Sequence, residues 1–219
     1  MSFTKQKTDF LSKKDKSRKG NIDIKIKKLV DKINSLEDFY TTSSCAGRIS
    51  LLTIPKSNKK NEVKYLFCSH KKIQYNEFKK LIKTLKNSKG IFGVPKNSKN
   101  FSSITKSKKL PKDDVWFRVE PVILHVACKN INNAKKLLNL ARNIGFRRSG
   151  IISVGKNRII MELIGTEKID AIAGKNGKLL IDENYFKILI KEGNKKLEKT
   201  WEKINKLHRE LKVNCFVLE

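Results

Sequence analysis

Ile22, Ile26, Leu29, Val30, Ile33 and Leu36 recur three or four residues apart, which predicts a helix from about Ile22 to Leu36 with one apolar face on the core. Ahead of it, Ser2 to Lys14 offers only Phe3, Phe10 and Leu11 as anchors, a short helix at most. The pattern then becomes strand-like. Phe39 and Tyr40 enter four hydroxyl residues, Thr41 to Ser44, followed by Cys45, Ala46, Gly47, Arg48 and a second β-prone run, Ile49 to Ile54. This predicts a strand, a tight turn and a strand, with Val63 to His70 as the next partner beyond a polar loop at 56–61. Tyr75 to Leu85 reads as an amphipathic helix with Phe78, Leu81, Ile82 and Leu85 on one face. Val115 to Cys128 is the most apolar stretch and reads as a central strand kinked at Glu120–Pro121, since proline has no ladder donor. A helix marked by Ile131, Ala134, Leu137, Leu138, Ala141 and Ile144 stops at Gly145. Strands follow at Ile151 to Val154, Arg158 to Ile164, Ile169 to Ala173 and Lys178 to Ile181. A long helix closes the chain, capped by Asp182, its stripe running from Phe186 through Leu197 and Trp201 to Leu211.

Helices alternating with strand groups predict an α/β (α+β layered) fold, a mixed β-sheet flanked by helices. The 219 residues suffice for one core and are read as one domain spanning the whole chain. Each half closes a strand pair with a turn of Arg, Gly and Ser, which suggests an internal pseudo-repeat. Asn87 to Lys112 is dominated by Lys, Ser and Asn and reads as a long loop, suited to a phosphate backbone or to solvent alone.

A formal net charge of +29 makes a polyanion the default partner, RNA ahead of DNA, although Lys-rich composition also has blander causes. The four cysteines form no CxxC pair and the three histidines no metal pattern, so no metal site is expected and a reducing, cytoplasmic setting fits. No apolar run approaches the ~20 residues of a membrane span.

The Ser43 to Arg48 turn gathers short donors beside one cation, a surface suited to a carboxylate, phosphate or ribose; the same residues also suit turn geometry alone. Only eight of the 50 basic residues are arginines, yet Arg adjoins this glycine and recurs in Gly145-Phe146-Arg147-Arg148-Ser149-Gly150. Its planar fork is the feature that lysine lacks. Glycine-rich nucleotide fingerprints, a P-loop, HExxH and a nucleophile elbow are all absent, which argues against a Rossmann-type site. What remains is polar turns, His70-Lys71 among them, the carboxylate of Glu120, and Trp116 and Phe117 as exposed-looking aromatics able to stack a base. His125, inside an apolar run, is ordinarily a core residue satisfied by a backbone carbonyl; the alternative is a catalytic role. On the residues alone, a non-catalytic RNA-binding or ribosome-associated protein ranks first. An RNA-cleaving enzyme using His70 or His125 ranks far behind.

Three stretches, FYTTSSCAGRIS at Phe39 to Ser50, WFRVEPVILH at Trp116 to His125 and GFRRSGI at Gly145 to Ile151, resemble the tRNA wybutosine-synthesising protein 3 family. So does the opening pattern of Phe10-Leu11 with Asp15, Ser17, Lys19-Gly20 and Asp23. The resemblance implies an S-adenosylmethionine-dependent methyltransferase of non-Rossmann fold. Its substrate would be N4 of the 7-aminocarboxypropyl-demethylwyosine base 3′ of the anticodon in phenylalanine tRNA. On that footing Ser43, Ser44, Gly47, Arg48, Arg147, Ser149 and Gly150 are expected to hold the cofactor, and Glu120 or His125 to act as base. Lys19, His70, Lys71, Trp116, Arg118, Lys106, Lys108 and Lys109 are expected to meet the RNA. The Lys-rich loop is longer than the family pattern suggests.

Overall fold

A computed structural model describes residues 2–13, 21–57, 59, 62–86 and 112–213, apart from the side chains at 78, 81, 82 and 84–86. The chain divides into two compact units: residues 1–47, 121–167 and 198–219 form unit 1, and 48–120 and 168–197 form unit 2.

Unit 1 holds helices α1 (Phe3–Leu11) and α2 (Ile24–Ser35), strands β1 (Phe39–Cys45) and β5 (Ile123–Cys128), helix α4 (Ile131–Ile144), and strands β6 (Gly150–Gly155) and β7 (Arg158–Ile164). Its sheet runs β1-β5-β7-β6, antiparallel throughout. The periodic residues predicted for α2 and α4 do bury one stripe each. Ile26, Leu29 and Ile33 join Leu137, Ala141 and Phe146 in one core with Leu124, Val126, Met161 and Leu163 of the sheet. At one end of the opposite face, Phe3 and Phe10 of α1 pack their rings 5.4 and 5.5 Å from that of Tyr40.

Unit 2 holds β2 (Arg48–Ile54), β3 (Lys64–Ser69), α3 (Tyr75–Lys86), β4 (Asp114–Glu120), β8 (Ile169–Lys175) and β9 (Lys178–Leu179). Its sheet order is β3-β2-β4-β8-β9, again antiparallel. The long helix α5 (Glu183–Val213) contributes its residues up to Leu197 to this unit and those from Glu198 to unit 1. Gly193 lets α5 lie close on the sheet: a Cβ there would stand 3.2 Å from Val119 and 3.3 Å from Ile49. The Asp182 cap is present, its Oδ1 accepting the Tyr185 N–H at 2.8 Å.

Three expectations are corrected. The strands form two antiparallel sheets in place of one mixed sheet. The Ser-rich strand and its successor do not pair as a hairpin: β1 pairs with β5, and β2 with β3 and β4. Gly47, at φ 90°, carries the chain between them in a conformation that L side chains rarely adopt. Val115 to Cys128 is likewise two strands in two sheets, β4 ending at Glu120 because the buried Pro121 has no N–H with which to continue the ladder. The apolar face expected of α3 falls on side chains outside the described ones, as does the whole 87–111 stretch.

Candidate active site

Each strand of the unit 1 sheet alternates between its two faces, so its register fixes which residues stand side by side. Ser43 on β1 is opposite His125 on β5, His125 is opposite Glu162 on β7, and Glu162 is opposite Gly150 on β6. The result is a row across all four strands. Flanking Leu124, Val126, Met161 and Leu163 point into the core and are fully buried, which turns the row to the other face. There Ser43 is exposed, and the His125 and Glu162 side chains are 31% and 30% exposed. His125 Nε2 lies 2.9 Å from Glu162 Oε2. Nothing lies within 4 Å of where a Cβ on Gly150 would be, so the row ends in open space. His125 is therefore not sealed in the core, and among the described residues no backbone carbonyl satisfies it.

Two braces hold the backbone around this row. Ala46 donates its N–H to Asp23 Oδ2 at 3.0 Å and accepts from Trp201 Nε1 at 3.2 Å, so both its main-chain groups are fixed where β1 ends. Lys25 Nζ sits 4.7 Å from the centre of the Trp201 ring. Ahead of β6, Gly145 caps α4 at φ 113° and Phe146 plugs the core. Ser149 is buried; its hydroxyl accepts the Ile164 N–H at 2.9 Å, and its carbonyl accepts from Arg142 at 2.9 Å. Ser149 is thus a strut, and the turn leaves Arg147 and Arg148 exposed at its tip.

Unit 2 carries a second polar face. Alternation along β4 buries Val115, Phe117 and Val119 and leaves Trp116, Arg118 and Glu120 half-exposed. The expectation of an exposed Phe117 is thereby corrected: it points into the core. Arg48 and Glu120 are register partners, and the guanidinium grips both carboxylate oxygens through Nε and, at 3.1 Å, Nη2. The Arg48 guanidinium carbon lies 5.2 Å from the Tyr65 ring centre. Burial holds the Tyr65 phenol above its usual pKa range, with Arg48 partly opposing the shift. Arg118 pairs with Asp170 at 2.6 Å. His70 and Lys71 follow β3, where Ser69 ties off a local turn with the Lys71 backbone. Lys19, Lys106, Lys108 and Lys109 lie outside the described residues.

Sequence reasoning named Ser43, His125, Gly150, Arg48 and Glu120 singly; the register sets the first three in one row and pairs Arg48 with Glu120. The structure adds Glu162, Tyr65 and Asp23, which sequence reasoning missed as parts of these clusters. For Glu162 a signal existed: it is the one acid in the run Arg158-Ile159-Ile160-Met161-Glu162-Leu163-Ile164. Among the described cysteines, Cys45, Cys68 and Cys128 form no disulfide, and burial pushes the Cys128 thiol up to about 12, leaving it an inert core group. No described helix is long and apolar enough to cross a membrane.

Residues 5–213 match the family model described as Methyltransferase TYW3. The tRNA(Phe) 7-((3-amino-3-carboxypropyl)-4-demethylwyosine(37)-N(4))-methyltransferase 1 of Pyrococcus horikoshii is 33% identical over 198 residues, 90% of this chain and 87% of that protein. The corresponding methyltransferase of Methanocaldococcus jannaschii is 35% identical over 185 residues, 84% of this chain and 83% of its own. The solved structure of the PH1069 protein from Pyrococcus horikoshii superposes with a TM-score of 0.71 at 32% identity, covering 89% of this chain and 87% of that one. The chain belongs to the methyltransferase TYW3 family.

Proposed function

We propose that this protein transfers a methyl group from S-adenosylmethionine to N4 of the 7-(3-amino-3-carboxypropyl)-4-demethylwyosine base of phenylalanine tRNA. Membership of a methyltransferase family sets the reaction class, and the relatives' names supply the substrate. The observation that carries the reading to a site is the Ser43–His125–Glu162–Gly150 row on an open sheet face.

The donor set on that face suits the cofactor. Its carboxylate and ribose call for hydroxyl and cationic donors, which Ser43 on that face and Arg147 at the exposed tip ahead of β6 offer, whereas Ser44, opposite Leu124, belongs to the other face. Gly150 leaves room that a side chain would take, Gly47 permits the backbone turn, and Ser149 stiffens the wall from behind. When bound, S-adenosylmethionine would supply an electrophilic methyl group on its sulfonium, the electron pair of the broken S–CH3 bond leaving with the neutral thioether. The tricyclic base loses one proton as its N4 electron pair forms the new bond. His125 takes that proton. Glu120 suits this task less, because Arg48 occupies both its oxygens. The sheet supplies positioning, since its strands are fixed by ladder bonds and a packed core.

Trp116 and Arg118, on one face of β4, are assigned to the tRNA along with His70 and Lys71. The +29 net charge favours the same partner. Labelled S-adenosylmethionine tests the function: incorporation into tRNA carrying the demethylated precursor, with none into an unmodified transcript, is the expected result. Tight tRNA binding that ignores S-adenosylmethionine and incorporates no label would return the non-catalytic RNA-binding reading.

A further inference from the structure

We infer that Glu162 is the positioning residue of the reaction, acting through His125; the inference rests on the reading of His125 as proton acceptor. Among the described residues, the Glu162 carboxylate has His125 as its only ion-pairing partner, at 2.9 Å. That choice stands out in a chain with 50 lysines and arginines. Several other carboxylates on or beside the strands take a full cation: Glu120 pairs with Arg48, Asp170 with Arg118 and Lys168, Asp38 with Lys129, and Glu167 with Lys203. Glu162 instead faces an imidazole across a ladder rung whose flanking residues are fully buried.

A carboxylate in that position does three things for the ring. As an acceptor it holds the hydrogen on Nε2, which leaves the lone pair on Nδ1. The bond also fixes the ring plane, so Nδ1 keeps one direction relative to the open face. When Nδ1 takes the proton from the base, the ring becomes an imidazolium beside an existing negative charge, and that charge stabilises it. The proton goes from the ring nitrogen of the substrate to Nδ1. Ser43, the other neighbour of His125 in the row, is exposed and offers a hydroxyl to the same space.

The test is a double-mutant cycle on the purified full chain with precursor tRNA and S-adenosylmethionine. Glu162→Gln keeps shape and polarity but removes the charge. It is expected to lower kcat on the order of 100-fold with KM for tRNA unchanged. In a His125→Ala background it should cost nothing further, because the residue it serves is gone. Equal losses with and without His125, or wild-type kcat in Glu162→Gln, would overturn the inference while methyl transfer itself stood. A wild type that transfers no methyl, or a fully active His125→Ala, would instead sink the underlying reading. Nitrogen-15 spectra of the wild-type imidazole give an independent check: the hydrogen is expected on Nε2, and a ring protonated on Nδ1 with a bare Nε2 contradicts the assigned tautomer.

Discussion

Arg48 and Glu120 begin and end their strands directly opposite each other, and the guanidinium holds both carboxylate oxygens. A lysine can meet that carboxylate at only one point. Arg48→Lys is therefore expected to lower stability by ~1 kcal/mol in urea unfolding, while tRNA affinity changes little. Stability equal to wild type would show that the fork geometry is not used.

The exposed donors of unit 1 make a separate prediction about the cofactor. Ser43→Ala and Arg147→Ala should each weaken S-adenosylmethionine binding by roughly 1–2 kcal/mol, about 5- to 30-fold in Kd, measured by calorimetry. Arg148→Ala, one position along the same exposed tip, serves as the control. Equal losses at Arg147 and Arg148 would mean that generic charge, and no particular contact, is being measured.

Stability should depend on acidity through Glu167. Burial alone would raise its pKa, but the hydrogen bond and charge of Lys203 outweigh burial and hold it below the usual carboxylate range. Lys203 Nζ also reaches the Gly145 carbonyl at 3.2 Å and Thr166 Oγ1 at 3.0 Å, so one ammonium ties α5 to the cap of α4. A depressed folded pKa contributes stability above the unfolded value of 4.5, and that contribution disappears as pH falls through the folded value. Urea unfolding between about pH 6 and pH 3.5 should show a steeper loss in wild type than in Glu167→Gln. Parallel curves would contradict the pairing.

Trp116 is assigned to base stacking and the basic residues to phosphates, and salt separates the two. Trp116→Ala should cost about 1–3 kcal/mol of tRNA affinity and leave the salt slope unchanged. A flattened slope would point to a phosphate contact at that position. Replacing Lys106, Lys108 and Lys109 should flatten the slope by roughly 0.7 for every single-stranded phosphate that these side chains neutralise.

Much of this was legible in the chain because the signals were local. Helical spacing from Ile26 to Ile33 and from Ala134 to Ala141 predicted both the helices and their buried faces. Gly145 and Asp182 marked helix ends through backbone chemistry that needs no tertiary context. Strand partnership was not local. Nothing near Gly47 states that β1 and β2 belong to different sheets, and Pro121 reads equally as a kink or as a change of sheet. The Glu162–His125 pair was hidden for the same reason: 37 residues separate the partners, and only the β5–β7 register brings them together. Arg48 was recognised as needing a planar acceptor, but that the acceptor is Glu120 of the same chain required the fold.

The central claim is that methyl transfer is served by the open face of the β1-β5-β7-β6 sheet. Titrating nitrogen-15-labelled protein with S-adenosylmethionine tests it most directly. The largest amide shifts are expected at Ser43 to Cys45, at His125 and from Arg147 to Ile151, with the His125 ring signals moving alongside. Saturable binding whose shifts leave those residues untouched would contradict the account.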